Sequence, residues 1–68
     1  EAAQRFLDRE EAVLAAWSAR VASGDVTSWE GAYAVRQAWV GAVGDWFAGQ
    51  ADAAQAGIDR AWELVQPR

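Results

Sequence analysis

Carboxylates and guanidinium groups are the main candidates for chemistry in this 68-residue chain, which contains no His, Cys or Met and takes all its cations from Arg. That composition removes most metal, haem and nucleophile arrangements, which rest on imidazole, thiolate or thioether groups. The hydroxyls of Ser18, Ser23, Thr27 and Ser28 have no base to activate them, and the last two sit where helix caps are needed. Acid–base catalysis by paired carboxylates requires two acids facing one cavity. In helical projection Glu10 alone lies on a core face, while Asp8, Glu11, Asp45, Asp59 and Glu63 point outward. The expectation is a protein that is not an enzyme and carries no metal or cofactor.

Two charges stand out by position. Glu10 projects into the centre of an apolar stripe between Leu7 and Leu14, and Arg36 into another between Ala32 and Val40. A charge in such a place is costly unless paired. If the chain turns near residue 25, Glu10 lies opposite about residue 40, so Arg36 is displaced by roughly one helical turn. Helical side chains lean toward their own N-termini, which separates the two further. Arg60 is an alternative partner for Glu10, and Glu63 or Gln66 for Arg36. Either these residues form a buried or rim ion pair that sets helix register, or they are a polar hot spot open to another molecule.

The elements that position them follow from two Gly-containing breaks between Ala-rich segments. In the first break, Gly24 suits the left-handed residue past a helix end, and Thr27 with Glu30 reads as a capping box. In the second, Gly49 closes a helix, and Asp52 with Gln55 repeats the box; Pro67 stops the last helix. The pattern predicts an all-α fold, a compact antiparallel three-helix bundle with helices at about 2–22, 28–48 and 53–66. It forms one domain spanning 1–68. Because the chain starts at Glu1 and not Met, it is read as a processed form, an excised domain or a part of a longer chain.

The apolar faces are uneven. The first helix presents Ala3, Phe6, Leu7, Val13, Leu14, Trp17 and Val21, and the third a narrower stripe of Ala54, Ile58, Ala61, Trp62 and Val65. The second carries Trp29, Ala32, Tyr33, Trp39, Val40, Val43, Trp46 and Phe47, with Val35 at one edge, as expected for a middle element touching both neighbours. Its opposite side holds Gly41 and Gly44, and Gly within a helix costs roughly 0.5–1 kcal/mol relative to Ala. The two mark either close approach of another backbone or neutral drift in a helix already held by its Trp-rich side. A helix apolar on nearly every side needs more cover than two neighbours give. Trp39 and Trp46 either pack against the third helix or anchor such a contact, with Val35, Gly41 and Gly44 beside them.

Function follows from surface and charge. The net charge of −4 disfavours nucleic acid and anionic membranes, and no apolar run is long enough to span a bilayer. The leading expectation is a protein-interaction or structural module that binds a protein partner. It either self-associates as a homo-oligomer or joins a larger assembly. One alternative is a small-ligand carrier with a Trp/Tyr-lined pocket in which Arg36 binds an acidic group. Another is an inhibitor or immunity-type protein whose acidic surface steers it to a basic partner. The compartment stays open between cytoplasm and secretion after processing.

Overall fold

The ends of the first two helices are set by glycines in left-handed backbone. A computed structural model describes residues 1–24 and 31–66, which form helices α1 (Ala2–Ser23), α2 (Ala32–Phe47) and α3 (Ala51–Val65). Gly24 ends α1 at φ 82°, its N–H donating to the Val21 carbonyl. Gly49, at φ 79°, ends α2. There the Gly49 N–H donates to the Trp46 carbonyl and the Gln50 N–H to the Asp45 carbonyl, the paired bonds of a Schellman ending. A β-carbon at either glycine would be strained by its backbone conformation, so the two stops are specific to Gly.

The expected caps fare differently. The box at Thr27 and Glu30 lies outside the described residues. Asp52 and Gln55 do not form theirs: α3 begins at Ala51 with Gln50 as N-cap, two residues earlier than the box requires. Asp52 instead supplies negative charge in the first turn, and the Gln55 amide donates to Asp59 Oδ1 at 3.1 Å.

Residue pairs across the seams give the helix directions. Phe6 lies on Trp46 and Glu10 meets Trp39, so α1 and α2 run antiparallel. Only three residues, Ala48 to Gln50, join α2 to α3, which turns them antiparallel, with Ala38 and Ala42 facing Gly57. Arg9 meets Asp59 and Trp62, and Arg20 meets Val65 and Gln66, so α1 and α3 run in parallel. The bundle is a rod of 35 × 18 × 17 Å.

The central element is α3, and here the structure corrects the expectation for helix two. Helix α3 packs extensively on both other helices, whereas the α1 and α2 backbones stay apart and meet only through long side chains. Its stripe is narrow because it is made of small side chains that allow close packing: Ala54, Ile58, Ala61 and Val65 are fully buried. A β-carbon at Gly57 would sit 3.0 Å from the Ala42 β-carbon and 3.3 Å from its α-carbon, so any side chain there would press α2 and α3 apart by a few tenths of an ångström. The core adds Phe6 and Val13 from α1 and Val35 and Ala42 from α2.

Helix α3 is tied to α1 at its far end. The Arg20 guanidinium donates to the carbonyls of Val65 at 2.8 Å and Gln66 at 2.9 Å, placing a cation at the negative end of the helix. One to two turns before that end, Arg9 lies 5.2 Å over the Trp62 ring and 3.2 Å from Asp59. Among the described residues, no helix is long and apolar enough to cross a membrane.

Candidate functional site

The side of α1 and α2 turned away from α3 carries most of the exposed apolar surface. On α1 the exposed large side chains are Leu7, Leu14 and Val21; on α2 they are Tyr33, Val40 and Phe47. Each set recurs at an interval of seven residues, two helical turns, so each forms a straight line along its helix. Phe47 is 84% exposed and Tyr33 70%, far beyond what ordinary surface scatter produces for aromatic rings.

Between the two lines lies a cleft of 380 Å³ lined by Val13, Leu14, Trp17, Val35, Arg36 and Trp39. Val13 and Val35 are buried and make its floor. Leu14 belongs both to the cleft and to the α1 line. Arg36 joins the cleft to a shallow depression of 400 Å³ that also contains Tyr33 and Val40. Leu14 and Arg36 thus connect the cleft to the middle of each line.

Glu10 and Arg36, the two charges expected to pair or to await a partner, do not meet. Glu10 Oε2 accepts a 2.8 Å hydrogen bond from the Trp39 indole N–H. That bond explains how a carboxylate is tolerated in an apolar stripe: it stands at the lip of the cleft, half-buried, and the indole supplies a donor. Arg60 does not reach it, and Gln66 turns back to the Trp62 carbonyl. Arg36 is exposed and has no hydrogen bond or ion pair among the described residues.

The other expected contact residues are dispersed. Trp46 stacks on Phe6, centroids 5.0 Å apart and rings 16° from parallel, so it is largely engaged inside the bundle. Trp39 is half-buried and held by Glu10, leaving one wall of its ring on the cleft. Val35 is 2% exposed, a core residue and not an edge contact. Gly41 and Gly44 are exposed, with nothing within 4 Å of the space a β-carbon would take. The close backbone approach expected at those two glycines occurs at Gly57 instead.

Arg20, Arg9 and Gly57 were not singled out by sequence. Gly57 sits in the Ala-rich stretch 53–57 beside the buried Ala54 and Ile58, and that placement is the signal for a close helix crossing. The chain matches no protein-family model, no curated protein and no solved structure at a significant level.

Proposed function

We propose that this protein is an interaction module whose working surface is the α1–α2 face, not the girdle of α2 alone. The observation that carries the reading is the pair of exposed seven-residue lines, Leu7–Leu14–Val21 and Tyr33–Val40–Phe47, flanking an open apolar cleft. Each line has the spacing with which one helix offers a seam to another. An apolar patch of this extent marks a contact site on a folded domain. The chain as a whole carries a net charge of −4.

A photo-crosslinking side chain at position 40 tests it, with position 53 on the exposed side of α3 as the control. The expected result is a discrete protein adduct from 40 and none from 53. Solvent-quenched products alone from position 40 would remove the docking reading.

One observation favours a second reading. The cleft is within the size range of small-molecule sites and has a cation, Arg36, at its edge, which suits an apolar ligand with an acidic group. Such a ligand would contact Trp17 and Trp39. Titration with an aromatic carboxylate and its neutral amide, followed by Trp fluorescence, separates the cases. The ligand reading requires saturable quenching by the acid that is lost in Arg36→Met; equal response to acid and amide removes it.

A further inference from the structure

We infer that the occupant of this face is a second copy of the same chain, related by a two-fold axis parallel to the helices, with α1 of each copy against α2 of the other. The inference rests on the docking reading above and adds the partner. The first argument is register. Within one chain, 6 stands beside 46, 10 beside 39, and the cleft brings 13–17 to 35–39. An axial two-fold preserves height along the bundle. Leu7 of one copy then faces Phe47 of the second within about one helical turn, Leu14 faces Val40, and Val21 faces Tyr33. All three levels match at once, and the match occurs twice by symmetry.

The second argument is extent. From their fractional exposures, the six side chains leave on the order of 700 Å² open per copy, against roughly 800 Å² per partner in a typical specific interface. The cleft walls supply the remainder. A lone foreign helix would cover the cleft but leave the outer edges of both lines in water, whereas an antiparallel helix pair covers both.

The third argument is charge. Glu10 uses only Oε2 within its own chain, and Arg36 has no partner there among the described residues. Across the axis they stand about 7–8 Å apart in height, a gap that Glu and Arg stems together can span. The resulting core is four helices, α1 and α2 from each copy, every neighbour antiparallel, with each α3 on the outside.

Sedimentation equilibrium from micromolar to hundreds of micromolar, on the chain and on two variants, tests the arrangement. Leu14 and Val40 lie outside the core, so Leu14→Lys and Val40→Glu keep their helical circular dichroism. The chain itself is expected at twice 7.4 kDa. Each variant alone is expected to be monomeric, its dissociation constant raised at least about a hundredfold by an unpaired buried charge. An equimolar mixture of the variants is expected to recover the dimer, because one α1–α2 contact then opposes Lys to Glu and the other stays apolar. A monomeric parent chain, dimeric variants, or a mixture that does not recover each overturns the proposal. The crosslink from position 40 distinguishes the two failures: an adduct other than a doubled chain removes self-association and keeps docking, and no adduct removes both.

Discussion

The Arg20 guanidinium and the Glu10 carboxylate show two ways in which a charge becomes structural in so small a protein. Arg20 closes the end of α3 through the carbonyls of Val65 and Gln66, and Val65 is fully buried. Arg20→Met is expected to cost about 2 kcal/mol and lower the melting temperature by about 10 °C, since hydrogen bonds to a charged donor are lost at a helix end. Thermal unfolding by circular dichroism measures it; an unchanged midpoint would show that water replaces the guanidinium. Glu10 serves Trp39 as an acceptor, and Gln retains an acceptor oxygen. Glu10→Gln should therefore stay within about 0.5 kcal/mol of the parent, while Glu10→Ala loses about 1 kcal/mol and exposes the indole. Urea titration followed by Trp fluorescence compares them, and equal losses would contradict the bond. Sequence pattern identified Glu10 as a charge needing a partner but assigned Arg partners, because formal charge is visible in a sequence and an indole donor half-buried across a cleft is not.

At the scale of helices, the α3 stripe and both glycine stops were legible, since periodicity and left-handed backbone are local properties. The α1 and α2 stripes were drawn too far round, for Leu7, Leu14, Val21, Tyr33, Val40 and Phe47 are exposed. Which helix stands in the middle was not legible. Size of side chain suggested α2, with its aromatics, yet the centre belongs to α3, with Ala54, Gly57, Ile58 and Ala61. Small residues let α2 and α3 approach closely, and that proximity makes Ala38 and Ala42 the core face of α2 and leaves Tyr33, Val40 and Phe47 outside. The contrast between glycines tests this packing. Gly41→Ala has open space for its methyl group and should stabilise by about 0.5–1 kcal/mol through helix propensity. Gly57→Ala gains the same propensity but meets Ala42 at 3.0 Å, and is expected to destabilise by about 1 kcal/mol net. Equal stabilisation by both, in chemical denaturation, would refute the tight α2–α3 seam.

For the molecule as a whole, the sequence signalled an excess of apolar surface but misplaced it. The surplus was legible because composition and helix count set how much can be buried; its location depends on how the helices are ordered in space. Self-association makes stability depend on mass action, so the melting temperature is expected to rise steadily across a hundredfold increase in concentration. A midpoint independent of concentration would contradict a dimer populated in that range. The seam at Gly57 also implies an order of assembly. Helices α2 and α3 are joined by three residues, Ala48 to Gln50, and make the most extensive contact in the bundle, whereas α1 joins mainly through α3. Contacts close in sequence form at the smallest entropic cost, so the α2–α3 hairpin is the nucleus and α1 docks afterwards. Ile58→Val should then slow refolding, and Val13→Ala should chiefly hasten unfolding. Stopped-flow kinetics would thus read the central position of α3 as a sequence of events in time.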